Sequence, residues 1–315
     1  MAMHCFEGVL DSTSVNIGLT LGSGQVFRWG RDVDRWWKGI AYGVVVHLRQ
    51  MGDQIQYRAS SERVATYCGE MAIDDFLRWY LRLDHMPRIR VQRGDTYLRK
   101  ARDLLKGLQF VRQDPFECII SYVLSVQAHM SLTKKRIGFI ARTLGERRVF
   151  EGETYWAFPG SDALSELDSG FYRRYRFGWR SERVAETARF IAGSVRDGAD
   201  LDTWRCISDD LYALSGSGVG IKVARCIDLF ALDRLYAVPV DTWVRKFARE
   251  WYGVTGSDAK ICQWGEARWG KWAGYCNEYL FAYYRELYGQ TLYDRVLSFD
   301  ASDEASAVMP FEDTG

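Results

Sequence analysis

The chain has 315 residues, with 42 Lys and Arg against 41 Asp and Glu, a formal charge of +1. Its 47% hydrophobic and 26% charged residues exclude a disordered or fibrous chain, and the length suggests two domains. No apolar run approaches the ~20 residues of a membrane span, and the N-terminal MAMHCFEGVLDS has no basic-then-apolar leader. The expected location is intracellular, in cytoplasm or nucleus and nucleoid, with no membrane partner.

Residues 1–88 are expected to form a β-rich domain of antiparallel type. Stretches 36–50 and 54–59 are rich in β-branched and aromatic residues around a Met51-Gly52-Asp53 turn, a hairpin pattern. Residues 74–80 have a helical pattern, and Pro87 marks a boundary. From about 94 onward the periodicity is helical, with Tyr97, Leu98, Ala101, Leu104, Leu105 and Leu108 at spacings of three and four. Asp114 as N-cap and Pro115 at the first position open a helix whose apolar stretch 116–126 predicts a central, buried element. Further helices are expected near 131–144, 181–195, 208–214, 221–230, 241–251 and 271–288. The helical body spans 89–295, and the acidic tail 296–315 is expected to be disordered.

Seven cysteines, at 5, 68, 118, 206, 226, 262 and 276, form an odd, scattered set without a Cys-x-x-Cys, and the histidines at 4, 47, 85 and 129 lie far apart. Reduced thiols and no metal or iron–sulfur site are expected. The net charge conceals an asymmetry. Residues 88–190 hold 20 Lys and Arg against 12 Asp and Glu, while 296–315 hold five acids and no base. A basic middle is the footprint of a phosphate-backbone binder, though a solvated basic helix face gives the same count.

The most informative stretch is LYALSGSGVGIKVARCIDLFALDRLYAVPVDTWVRKFARE, beginning at Leu211. A helix ends near Leu214, Gly216, Gly218 and Gly220 punctuate a tight turn, and a new helix starts near Ile221. Backbone N–H groups of such a turn, at a helix N-terminus, can bind a phosphate. Lys222 lies in the first helical turn, where the dipole disfavours a cation. It reads either as a surface lysine or as an amine needed neutral for attack, a state that burial promotes. Asp241, 19 residues on, reads as an N-cap or as a catalytic carboxylate.

This hairpin resembles the helix-hairpin-helix signature of the DNA base-excision glycosylases. Ser23-Gly24-Gln25-Val26-Phe27-Arg28-Trp29, Leu108-Gln109-Phe110-Val111-Arg112-Gln113-Asp114-Pro115, Phe177-Gly178-Trp179-Arg180 and Ala273-Gly274-Tyr275-Cys276-Asn277-Glu278-Tyr279-Leu280-Phe281 fall in the order and approximate spacing of 8-oxoguanine DNA glycosylases. The resemblance runs from about residue 6 to 288.

It implies an α+β fold: a small antiparallel β-rich N-terminal domain, then a two-lobed all-helical body with the helix-hairpin-helix near 208–230. It implies a bifunctional glycosylase acting on damaged double-stranded DNA, as a monomer and without an organic cofactor. A monovalent cation held by hairpin carbonyls belongs to the same family pattern. By resemblance Lys222 attacks C1′ of the damaged nucleoside and Asp241 stabilises charge on the sugar. The base is taken out of the stack. Phe281 then stacks on one of its faces, Cys226 lies against the other, Gly24 accepts the N7–H of oxidised guanine, and Asn277 stands where a glutamine reads the Watson–Crick edge. Taken singly, Phe281 reads as a core aromatic, Cys226 as a small hydrophobe and Gly24 as a turn glycine. Gln127 matches the side chain that fills the vacated stack, and Trp179 and Arg180 match a loop that wedges the duplex and contacts the orphaned base. Gly216, Gly218 and Gly220 would hold the backbone phosphates.

The chain departs from the family at several positions. Ser217 replaces a proline, Trp243 a histidine, and Leu132 stands where an arginine reads the opposite cytosine. Two rivals share parts of the pattern. An alkylated-base glycosylase keeps the aspartate but usually lacks the lysine, and a non-catalytic DNA-binding protein needs the hairpin alone. Adenine-type and endonuclease III-type enzymes would carry four C-terminal cysteines for a cluster.

Overall fold

The computed structural model describes residues 4–12, 14–195, 198–214 and 218–288. It opens with β1 (Phe6–Asp11), a short helix α1 (Ile17–Gly22), then β2 (Trp29–Arg31), β3 (Trp37–Ala41), β4 (Val44–Met51) and β5 (Gln54–Ala59). These strands form one antiparallel sheet in the order β1-β5-β4-β3-β2. The stretch 36–50, expected as one arm of a hairpin, is two strands. Tyr42 and Gly43 take φ of 50° and 75°, the backbone of a tight turn matched to strand twist. A small hairpin of β6 (Arg63–Thr66) and β7 (Gly69–Ala72) leads into α2 (Ile73–Tyr80). Ile73, Phe76, Leu77 and Tyr80, at helical spacing, close the core beneath the sheet with Leu10, Val46, Leu48 and Ile55.

The body comprises α3 (Thr96–Leu104), α4 (Pro115–Ser125), α5 (Met130–Leu144), β8 (Arg147–Phe150), β9 (Glu153–Trp156), α6 (Ser161–Ser165), α7 (Ser169–Arg174), α8 (Arg180–Ser194), α9 (Leu201–Ala213), α10 (Ile221–Phe230), α11 (Thr242–Tyr252), α12 (Asp258–Trp269) and α13 (Ala273–Tyr288). Asp114 caps α4 by accepting the Glu117 N–H at 2.9 Å, with Pro115 in the first turn. The apolar residues that follow are buried in the main core. α9 starts at Leu201, one to two turns before its expected start, because Asp200 caps it through the Thr203 N–H at 2.9 Å.

The body is not wholly helical, which corrects one expectation. β8 and β9 form a hairpin whose turn residues Glu151 and Gly152 have φ of 50° and 83°. Phe150 and Ala157 pack on Ile40 and Val45, so the first half of β4 is buried on both faces. Buried His47 contacts Glu151 through Nδ1 at 2.9 Å and the Tyr155 hydroxyl through Nε2 at 2.8 Å.

Two groups of helices flank α10. α6 and α7 pack on α8, which joins α5 on α4; α3, α11 and α12 pack on α13; α10 touches α4, α9 and α12 between them. Sheet and body interlock through charge as well as packing. Arg82, fully buried, pairs with Asp233, which also receives Arg112 at 3.1 Å. Burial alone would raise the Asp233 carboxyl; Arg82 and Arg112 hold it below its ordinary value. Of the hairpin turn, Gly216 and Ser217 lie outside the described residues, as does the tail 296–315. Among the described residues no helix is long and apolar enough to cross a membrane.

Candidate active site

A cavity of about 320 Å³ opens between the two helix groups. Its walls come from four distant parts of the chain: the 23–27 loop, the end of α4 and the segment leading into α5, α10 with the start of α11, and α13. Lys222, Asp241, Gly24, Cys226, Asn277 and Phe281 all line it. Gln127, Trp179, Arg180, Gly218 and Gly220 do not.

α10 supplies the amine. Gly220 is its N-cap and Lys222 its second residue, so the side chain leaves the first turn, half-buried, with Nζ 5.4 Å from the centre of the Tyr122 ring. Cys226 follows one turn later on the same face. Burial pushes its thiol up to about 11, with Lys222 pulling the other way, so it stays a neutral, polarizable wall at ordinary pH.

Asp241 caps α11. Its Oδ1 accepts both the Trp243 N–H at 2.8 Å and the Val244 N–H at 2.9 Å. Both cap bonds therefore use one oxygen, and Oδ2 is left for the cavity that Lys222 also faces. Among the described residues Lys222 and Asp241 form no ion pair within 4.0 Å, and both line the cavity.

Gly24 has φ of +97°, which favours glycine, and a Cβ there would meet the Met130 Cε at 3.0 Å. Gln25 fixes this loop. Its amide donates to the Thr20 and Gln109 carbonyls at 2.8 Å, and its Oε1 accepts the Val111 N–H at 2.8 Å. Its own carbonyl accepts from Gln113 at 2.8 Å and from the Tyr122 hydroxyl at 3.2 Å. A fully satisfied buried amide of this kind holds one geometry rather than several.

α13 forms the far wall. Gly274 lets it approach closely: a Cβ there would meet Leu229 Cδ1 at 2.3 Å and the Leu235 carbonyl at 2.8 Å, and its N–H donates to that carbonyl at 2.9 Å. Asn277, Glu278, Phe281 and Arg285 then share the face turned to the cavity. Asn277 is 2% exposed and its Oδ1 has no partner. The Arg285 guanidinium stands 5.3 Å from the Phe281 ring centre. Glu278 and Arg285 received no role from sequence reasoning. The available signal was two charged residues in phase with Asn277 and Phe281 on a helix face that is otherwise apolar.

The expected DNA-facing residues lie outside this cavity. Gln127 is exposed with φ of +50°, a left-handed conformation uncommon for a residue with a side chain. Trp179, 46% exposed, is the N-cap residue of α8, with Arg180 and Arg183 guanidinium groups 4.4 and 5.8 Å from its ring centre. Arg180 departs from expectation. It is 6% exposed and donates through Nε at 2.9 Å, and through Nη2, to the Val126 carbonyl, so in this conformation it braces the residue before Gln127 instead of reaching an orphaned base. Arg136, next to Lys134 and Lys135 in the sequence, also turns inward, toward the Arg176 carbonyl and the Phe177 ring. Gly218 has φ of +82° and lies against Arg183, where a Cβ would meet Cδ at 2.6 Å, whereas the space beside Gly220 is open.

Residues 9–119 match the family model described as the N-terminal domain of 8-oxoguanine DNA glycosylase. The chain is 27% identical over 285 residues to the N-glycosylase/DNA lyase OGG1 of Arabidopsis thaliana, covering 86% of this chain and 78% of that protein. A probable N-glycosylase/DNA lyase of Methanothermobacter thermautotrophicus is 30% identical over 216 residues, covering 61% of this chain and 68% of that protein. The 8-oxoguanine glycosylase/lyase of Clostridium acetobutylicum, solved with double-stranded DNA containing cytosine opposite 8-oxoG, superposes with a TM-score of 0.70 at 25% identity, over 91% of this chain and 99% of that one.

Proposed function

The chain belongs to the 8-oxoguanine DNA glycosylase family, and from that premise we infer that it removes 8-oxoguanine from duplex DNA and then cleaves the strand as an AP lyase. One observation supports the reading above others: an amine on α10, a carboxylate at the start of α11 and a stacking ring on α13 line the same cavity. An alkylated-base enzyme has no use for the lysine, and a non-catalytic hairpin protein has no use for the cavity.

The extruded nucleotide enters with its base between Phe281 and Cys226 and its sugar near Lys222 and Asp241. Lys222 Nζ bonds to C1′ as the glycosidic bond breaks, its electron pair leaving on the base, which takes up a proton. Asp241 stabilises the positive charge that develops on the sugar. Loss of the remaining amine proton with opening of the ring gives an imine, and removal of a C2′ proton then expels the 3′-phosphate. The Gly24 carbonyl accepts the N7–H that oxidised guanine has and guanine lacks. Normal guanine would set a lone pair against that buried acceptor, a discrimination of about 1–3 kcal/mol. Gln127 fills the gap in the stack and Trp179 wedges the duplex, while N–H groups at the start of α10 hold the backbone; a monovalent cation, were one bound by hairpin carbonyls, would add its charge against a phosphate.

Borohydride trapping on an 8-oxoguanine duplex tests this reading. The wild type should give a covalent adduct and Lys222→Gln none. An adduct that persists without Lys222 overturns the nucleophile assignment.

A further inference from the structure

Glu278 is the second carboxyl on the cavity wall among the described residues, and the chemistry above leaves it unused. It is 8% exposed. Burial pushes its carboxyl up to about 7; Arg285 pulls it down, Asp241 pushes it up, and no hydrogen bond contributes. A buried carboxyl is costly, and only the Arg285 guanidinium offsets that cost here. Its neighbour Asn277, on the same helix face, has a buried Oδ1 without a partner. A carboxyl and an unpartnered amide oxygen thus border the slot in which Phe281 offers its ring.

A 2-amino-6-oxopurine presents two donors side by side on its Watson–Crick edge, N1–H and the 2-amino group. A carboxylate is the side chain that accepts such a pair through two oxygens in one plane. An adenine-type edge has an acceptor at N1 and would set it against the carboxylate. The geometry points to Glu278 as a specificity-determining residue that accepts N1–H and the 2-amino group of the extruded base, completing an edge that Asn277 alone is too short to read. This role rests on the glycosylase reading above and adds the group that selects a guanine-type base.

The test compares wild type and Glu278→Gln on three duplexes, containing 8-oxoguanine, the 8-oxopurine lacking the 2-amino group, and a preformed abasic site. Abasic cleavage needs Lys222 but no base, and it also reports a folded site. Glu278→Gln should lower 8-oxoguanine excision about ten- to a hundredfold relative to abasic cleavage. Deleting the 2-amino group should cost the wild type about as much and the variant far less. Excision of 8-oxoguanine by the variant within threefold of wild type refutes the assignment. A parallel fall in excision and abasic cleavage also refutes it, since Glu278 would then be serving Lys222. A wild type that cleaves abasic DNA but leaves 8-oxoguanine in place overturns the glycosylase assignment itself, and the role of Glu278 with it.

Discussion

Replacing Asp241 by asparagine should spare the fold and stop the chemistry. The two α11 cap bonds, at 2.8 and 2.9 Å, both end on Oδ1, and asparagine offers an equivalent carbonyl oxygen. Asn and Asp are comparable N-caps, so the stability change should stay under about 0.5 kcal/mol, roughly 1 °C in melting temperature for a chain of this size. The charged carboxylate, which lines the cavity, becomes a neutral amide. A carboxylate about 4 Å from a cationic sugar, at an effective dielectric near 20, stabilises it by roughly 3–4 kcal/mol. Losing that slows base removal by about two to three orders of magnitude. Single-turnover excision of 8-oxoguanine, with thermal melting on the same preparation, separates the two effects. Excision within threefold of wild type would refute the electrostatic role. A loss accompanied by a melting drop of several degrees would show that Asp241 acts only through α11.

Asp233→Ala leaves Arg82 and Arg112 buried without their shared carboxylate, so urea unfolding should show a loss of about 3–5 kcal/mol. Because the folded Asp233 carboxyl lies below its unfolded value, its contribution is intact above about pH 4 and disappears as pH falls through the folded value. Melting curves of the variant should accordingly lose part of the wild type's acid sensitivity. Gly274→Ala would drive a Cβ to 2.3 Å from Leu229 and 2.8 Å from the Leu235 carbonyl. A cost of about 1–3 kcal/mol follows from overpacking, and excision should fall more than abasic cleavage, since α13 carries the base-facing residues. Leu132, 42% exposed, offers no hydrogen bond to an opposing cytosine. Excision rates against the four opposing bases should therefore differ less than in relatives with arginine there, and a steep cytosine preference would contradict this.

Local rules act over one or two turns, and what they govern was legible in the residues themselves. Asp114-Pro115 announced the start of α4, and Asp241 announced that of α11. The β4–β5 hairpin was visible in its turn and its β-branched arms. The β8–β9 hairpin carried a Glu151-Gly152 turn signal but lay in a region of helical periodicity. α12 left a weak pattern because few of its residues, Ile261, Cys262 and Gly265 among them, are buried. Within the cavity, the order of motifs along the chain is enough to single out Lys222, Asp241, Gly24, Cys226, Asn277 and Phe281.

The direction and burial of charged side chains were decided only by the fold. Arg180 and Arg136 look like surface bases in the sequence, yet each turns inward because a carbonyl on a distant segment, Val126 or Arg176, accepts its hydrogen bond. Glu278 looks like an ordinary helix glutamate, and it becomes a titrating wall of the cavity because Gly274 lets α13 settle against the chain at Leu229 and Leu235. The sequence determined which chemical groups are present and where helices and turns begin, because those are set by neighbours a few residues away. Which of those groups lose water and face one another is a property of packing between segments as distant in the chain as Gly24 and Phe281, and only the tertiary structure supplies it.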